Sequence, residues 1–235
     1  KNSDHYFEVL LGCMKAGAVL VPVNWRLAPR EIEYILGDAG IEVLFVDSEF
    51  FDKAASVRGR APALRHLLSM DDGTGFATGY EAWRDAQSDV DPFLETGPGG
   101  VALQLYTSGT TGYPKGVQLP HRNFYVLAEH LASSPHPDDP VWEWNVWGPE
   151  DSSLVTMPCF HISGTGWGLV GLYNGARNVV LREFDPAAVL SAIREHRISK
   201  MILVPTAMQM VIRHPEAKAV DYSSLKYLCY GASPI

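Results

Sequence analysis

Short apolar runs alternate with segments of helical period along most of this chain, and that alternation restricts the fold more than any other feature. Tyr6, Val9, Leu10, Cys13 and Ala16 fall on one helical face, which Gly17 closes as a C-terminal cap. The apolar run "AVLVPVN" (18–24) reads as a buried strand. Pro29 suits the first turn of a second helix with Ile32, Ile35, Leu36 and Ala39 inward and Gly40 at its end, and "IEVLFVD" (41–47) reads as the next strand. Residues 66–100 are Gly- and Asp-rich and predict only loops and short elements. The pattern then resumes with strands at 101–106, 152–157, 178–183, 200–204 and 225–230, the last read as buried. Helices are expected at 123–132 (Asn123 as cap), 186–197 and 206–214. Helix–strand alternation of this kind predicts an α/β fold of mostly parallel sheets covered by helices. With no repeats, low-complexity tract or clear linker, one continuous body is expected.

Bulk properties narrow the partners. The 235 residues are 46% apolar and carry a net charge of −8, so the global field repels polyanions. Generic nucleic-acid binding is thereby disfavoured, and any phosphate site must be built locally. Cys13, Cys159 and Cys229 are widely spaced and form no zinc pattern, which suggests reduced thiols in a cytoplasmic protein. No stretch reaches the roughly 18 apolar residues of a membrane span. The chain opens on "KNSDHYFEVLL" and stops at "YLCYGASPI", so it is expected to be the middle of a longer protein. A Pro- and Trp-rich insert, "SSPHPDDPVWEWNVWGPED", is expected to pack on its own domain rather than to serve as a contact surface.

Unusual polar segments follow the expected strands: Thr107 onward, 158–164, Pro205-Thr206 and 231–233. Ligands of open α/β sheets bind beyond the carboxyl ends of strands, so these segments are expected to form a composite site. The first, "TSGTTGYPK" (107–115), has the most specific chemistry. Gly109 and Gly112 allow close backbone approach, and consecutive N–H groups in such turns form anion-binding concavities. Thr107, Ser108, Thr110 and Thr111 add four hydroxyl donors, and Lys115 adds a charge behind Pro114. Such a loop is suited to holding phosphates. It is not a Walker loop, because Gly116 follows the lysine and an apolar run follows in turn; a return into a strand is expected. No G-x-G-x-x-G loop occurs, and "GASPI" lacks the final Gly of a nucleophile elbow.

The full string "YTSGTTGYPKGV" resembles the phosphate-binding signature of the adenylate-forming superfamily: acyl-CoA synthetases, coumarate-CoA ligases, luciferases and peptide-synthetase adenylation domains. Twelve consecutive positions agree with it. "LLGCMKAGAVLVPVNWRLAPREIEYIL", "MPCFHISGTGWGL" and "YGASPI" resemble other segments of that family in the same order, so the resemblance spans nearly the whole chain. It implies that residues 1–235 are the central part of a large N-terminal adenylation domain, with the small C-terminal domain and its catalytic lysine outside.

The resemblance implies an ATP-dependent activation of a carboxylic acid to an acyl-adenylate, followed by capture on coenzyme A, with Mg²⁺ screening the phosphates. Thr107, Ser108, Gly109, Thr110, Thr111, Gly112 and Lys115 would hold the ATP phosphates. Gly231, Ala232 and Ser233 would lie along the adenine, and His161, Gly164 and Trp167 would gate and line the acyl pocket, together with Gly166 and Gly168. No metal ligand is implied within this chain, and it is not expected to turn over alone. "GTGWGL" and "VVLREFDP" most resemble fatty-acyl-CoA ligases. An aryl-acid ligase and a non-catalytic nucleotide-binding module stand as alternatives.

Overall fold

The computed structural model describes residues 1–71, 77–107, 112–125 and 146–231. They form two compact units, one from Lys1–Val9 with Arg122–Ile235 and the other from Leu10–His121. Where composition predicted one body, the structure divides the chain. The division left no sequence signal because one boundary falls inside a helix and the other at a tight strand-to-helix turn, so neither needs a Gly/Ser linker.

Helix α1 (Asp4–Lys15) ends at Gly17, whose φ of +67° explains the glycine. In the Leu10–His121 unit, α2 (Pro29–Asp38) begins with proline, and the Glu31 carboxylate accepts the Ala28 N–H at 2.8 Å. Its buried face, Ile32 and Leu36, packs with Val57 and Ala61 of the α3 (Phe51–Arg58) region. Strands β1 (Val43–Val46), β2 (His66–Ser69) and β3 (Thr78–Gly79) make a parallel sheet, with α4 (Tyr80–Asp85) following. Residues 66–100 thus hold short elements, as their composition suggested. A separate antiparallel pair joins β4 (Val101–Thr107) to β5 (Lys115–Pro120).

Residues 18–24 are not the buried strand expected of them. Only Leu20 bridges, in parallel to Leu103, donating to the Ala102 carbonyl and accepting the Gln104 N–H. The next ladder bond would need an N–H from residue 22, which is proline.

The Arg122–Ile235 unit contains a four-stranded parallel sheet in the order β7-β6-β8-β9. Its strands are β6 (Ser152–Val155), β7 (Arg177–Val180), β8 (Lys200–Leu203) and β9 (Tyr227–Tyr230). They are joined in turn by α5 (Ile162–Tyr173), α6 (Pro186–His196) and α7 (Pro205–Arg213). Asp185 caps α6 by accepting the Ala188 N–H. Val189, Leu190 and Ile193 of α6 pack with Leu154, Met201 and Leu203 of the sheet, and each fully buried aliphatic contributes about 1.5–3 kcal/mol.

Two further expectations are corrected here. Among the described residues β9 is partly exposed rather than buried, with Tyr230 55% exposed. Residues 122–125 are already helical, so Asn123 lies inside the helix rather than capping it; residues 126–132 fall outside the described residues. Among the described residues no helix is long and apolar enough to cross a membrane.

Candidate functional site

The β4–β5 hairpin positions both ends of the Thr/Gly loop. Thr107 pairs with Lys115 across it and Tyr106 with Gly116, so the chain leaves one strand and returns into its antiparallel neighbour. That matches the expected return and differs from a strand-to-helix phosphate loop. Side-chain alternation puts Thr107 and Lys115 on the same face as Leu105, with Gln104, Tyr106, Gly116 and Gln118 on the other. Lys115 is exposed, and Gly112 holds a φ of +93°, a conformation that any Cβ would strain. Ser108, Gly109, Thr110 and Thr111 lie outside the described residues.

The opposite face of the hairpin carries a hydrogen-bonded chain. Gln118 donates to Gln104 at 3.2 Å, Gln104 donates to the Tyr106 hydroxyl at 3.0 Å, and Tyr106 donates to Asp38 at 2.5 Å. Asp38 is the last residue of α2, so the hairpin stem is tied to that helix. Burial, reinforced by the Asp38 carboxylate, pushes the Tyr106 phenol far above its ordinary range and keeps it a donor. Gly116 makes room for this chain, since a Cβ there would stand 2.5 Å from Gln104 Nε2 and 3.1 Å from Tyr106 Cζ. None of these tie residues was singled out from sequence, because their partners are set by register and not by a local motif.

In the other unit the strand order creates a switch point. From β6 the chain moves to β7 on one side, then returns to β8 on the other side of β6 and on to β9. With right-handed crossovers, α5 covers one face, while α6 and α7, which pack together, cover the other. Crevices for ligands open beyond the carboxyl ends of strands at such a point. Three of the four polar segments anticipated there, 158–164, Pro205-Thr206 and the one beginning at Gly231, follow β6, β8 and β9 of this sheet. The fourth, Thr107 onward, belongs to the other unit.

His161 sits on the loop leaving β6. It is the N-cap residue of α5 in an extended conformation, exposed, with its ring 4.7 Å from that of Phe160. Asn2 fixes this loop from a distance in sequence that no motif reveals. Its Nδ2 donates to the Met157 and Leu181 carbonyls, each at 3.1 Å, and its Oδ1 accepts the Cys159 N–H at 2.9 Å. Thr165 donates to the Cys159 carbonyl at 2.7 Å, and the Tyr6 hydroxyl lies 2.7 Å from Thr165 Oγ1. The Thr156 hydroxyl, just past β6, is buried with no hydrogen-bond partner among the described residues.

Packing explains Gly164 and Gly168 of α5. A Cβ on Gly164 would meet the Met157 oxygen at 2.4 Å, and one on Gly168 would meet the Phe7 ring at 2.2 Å. At Gly166 the nearest neighbour is 3.8 Å away. Trp167 is 7% exposed and meets Trp147 edge to face. Trp147, from the end of the Trp-rich insert, therefore packs within its own unit, while Trp142 and Trp144 lie outside the described residues. Gly231 follows β9 with no neighbour crowding a Cβ, and Ala232 and Ser233 lie outside the described residues.

Burial pushes the Cys159 thiol up to about 12, so it is not a nucleophile at neutral pH. Among the described residues no group of three or more His, Cys, Asp or Glu is placed to hold a metal ion.

Comparison with known proteins accounts for the combination. The family model for AMP-binding enzymes matches residues 1–235. A fatty acid–[acyl-carrier-protein] ligase, ScoC of Streptomyces coeruleorubidus, is 38% identical over 100% of this chain and 43% of its own length. Feruloyl-CoA synthase of an Amycolatopsis species is 34% identical over 100% of this chain and 43% of its own length. The chain thus spans less than half of the curated relatives it matches. Among solved structures, the inhibitor-bound N-terminal domain of FACL13 from Mycobacterium tuberculosis superposes with a TM-score of 0.83 at 25% identity, over 100% of this chain and 55% of that one. A hairpin-borne Thr/Gly/Lys loop, a parallel sheet with its switch point beside His161 and a family match over every residue lead to one conclusion: the chain belongs to the AMP-binding enzyme family.

Proposed function

We propose that the protein containing this chain activates a carboxylic acid, most simply a fatty acid, as an acyl-adenylate and passes it to the thiol of coenzyme A. The observation that carries the reading is the hairpin that sets Thr107 opposite Lys115 at the mouth of the 107–115 loop. Hydroxyls, backbone N–H groups and one ammonium are suited to holding the β- and γ-phosphates of ATP while the acid's carboxylate oxygen bonds to the α-phosphorus. The bond from that phosphorus to the β-phosphate's bridging oxygen then breaks, and pyrophosphate leaves. In the second step the thiol gives its proton to water and its sulfur bonds to the acyl carbon. The bond from that carbon to the phosphate oxygen breaks, and AMP leaves with that oxygen. Such reactions are accelerated by positioning and charge stabilisation rather than by covalent catalysis. Mg²⁺, carried on the nucleotide, would supply charge screening.

In this reading Ser108, Gly109, Thr110, Thr111 and Gly112 complete the phosphate cradle. Gly231, Ala232 and Ser233 lie along the adenine, and His161, Gly164 and Trp167 border the acyl group. His161 gates or orients the acid, and no proton transfer is assigned to it. The unbridged thiols suit a cytoplasmic setting. A carrier-protein thiol as acceptor is a second reading, supported by the 38% identical ScoC, and an aryl acid as substrate is supported by the 34% identical feruloyl-CoA synthase. Acid-dependent pyrophosphate release by the whole protein tests the reading. Release with a panel of fatty acids and its loss on Lys115→Ala are expected, and release that ignores the acid refutes it.

A further inference from the structure

A buried ion pair grips the backbone on both sides of Trp147. Lys200, at the start of β8, is 1% exposed, and its Nζ lies 3.6 Å from Asp151 Oδ2, a carboxylate that is 3% exposed. Lys200 donates to the Val146 carbonyl, and Asp151 accepts the Gly148 N–H at 3.1 Å. The ammonium also lies 4.5 Å from the centre of the Trp147 ring and 5.2 Å from that of Tyr227. Ser199 at 2.8 Å and Lys226 at 3.2 Å hold the remaining side of the carboxylate. A charge pair removed from water is costly unless well bonded, and hydrophobic replacements of such pairs are often no less stable. The bonds of this pair converge on the position of one ring.

That ring in turn meets Trp167 of α5, with centroids 5.1 Å apart and planes at 68°. The Trp167 indole N–H is buried with no hydrogen-bond partner among the described residues, so packing alone sets the orientation of its ring. Removing Trp147 would open space on one side of Trp167 and leave no polar contact to hold the ring in place.

We propose that Trp147, clamped by Asp151 and Lys200, is a specificity-determining positioning residue that fixes the Trp167 ring and so limits the size of the acyl group accepted. This rests on the proposed placement of Trp167 beside the acyl group. The test is kcat/KM for acid-dependent pyrophosphate release by the whole protein, over straight-chain and aryl acids of increasing size. Trp147→Ala is expected to raise the ratio of largest to smallest acid by about tenfold, the scale of a small change in an apolar pocket. Trp147→Phe should shift the ratio less in the same direction. The Trp147→Ala/Trp167→Ala pair should match Trp167→Ala alone, because the first residue acts through the second.

A uniform loss across all acids at the wild-type ratio overturns the proposal, as does a double variant whose shift equals the sum of the two singles. If Trp147→Ala does not accumulate as folded protein, Trp147→Phe decides alone. A wild-type protein that releases pyrophosphate with no acid overturns the adenylation reading together with this one. A wild-type preference that the Trp147 variants leave unmoved overturns this one only.

Discussion

Gly164→Ala is expected to destabilise the protein although helix propensity alone favours it. Gly164 is the third residue of α5 with an unexceptional backbone, where alanine is better than glycine by about 1 kcal/mol. Against this, the added Cβ would stand 2.4 Å from the Met157 oxygen, 2.5 Å from the Pro158 oxygen and 2.6 Å from the Pro158 carbonyl carbon. Carbon–oxygen contacts normally fall at about 3.3 Å or more, so helix and loop must separate by about 1 Å. The obstructing atoms are main chain and the loop is pinned by Asn2, which leaves no flexible side chain to give way. Overpacking of this kind costs about 1–3 kcal/mol, for a net loss of up to about 2 kcal/mol after the propensity gain. Gly166→Ala on the same helix is the control. Its nearest neighbour is 3.8 Å away, so it should stabilise by up to about 1 kcal/mol. Urea unfolding of the two variants should move the midpoint in opposite directions at unchanged slope. A Gly164→Ala midpoint at or above wild type would refute the reasoning.

Two other consequences concern the polar networks. Burial works against the ionised Asp151 carboxyl, but hydrogen bonds from Ser199, Lys226 and Gly148 outweigh it and hold the group below the usual carboxylate range. Because the folded-state value is depressed, its stabilisation is fully present above the unfolded value of about 3.9 and is lost as pH falls through the folded one. Asp151→Asn should therefore flatten the acid limb of a stability–pH profile below about pH 4, while costing about 3 kcal/mol at neutral pH by breaking the buried Asp151–Lys200 ion pair; a profile parallel to wild type would contradict this. Tyr106→Phe removes the hydroxyl joining Gln104 to Asp38 and should lower stability by about 1 kcal/mol in urea unfolding, with no loss expected if that tie contributes nothing.

The elements that sequence located well are those whose periodicity carries a complete core face, such as α6 with Val189, Leu190 and Ile193. Helix α2 was equally legible, because Pro29 and Gly40 punctuate it. The apolar run 18–24 misled because one proline removes the donor that a ladder would need next, a fact that depends on register rather than hydropathy. β9 appeared buried because its composition is apolar, whereas among the described residues β8 is its one strand neighbour and its side chains are partly exposed.

At the site, the 107–115 string and its return into a strand were readable, since twelve adjacent residues specify them. The anchoring of the His161 loop by Asn2 was not, because the two lie 155 to 157 residues apart and a lone asparagine carries no signal. The resemblance implies that the glycines after His161 line an acyl pocket, and two of them have a packing role as well. In the structure, Gly164 and Gly168 face protein atoms at distances no Cβ would tolerate, a requirement that only packing reveals. The Asp151–Lys200 pair escaped for the same reason as Asn2: its members belong to different elements and meet only when β6 and β8 pair.

Isotope exchange between pyrophosphate and ATP, catalysed by the whole protein with and without a carboxylic acid, tests the central claim most directly. Exchange requires a reversible adenylation step and does not depend on the thiol acceptor. The account predicts exchange only when an acid is present, reduced by about a hundredfold in Lys115→Ala, the scale of removing one donor from a developing anion. Exchange that proceeds without acid, or ATP binding with no exchange for any acid, would contradict it.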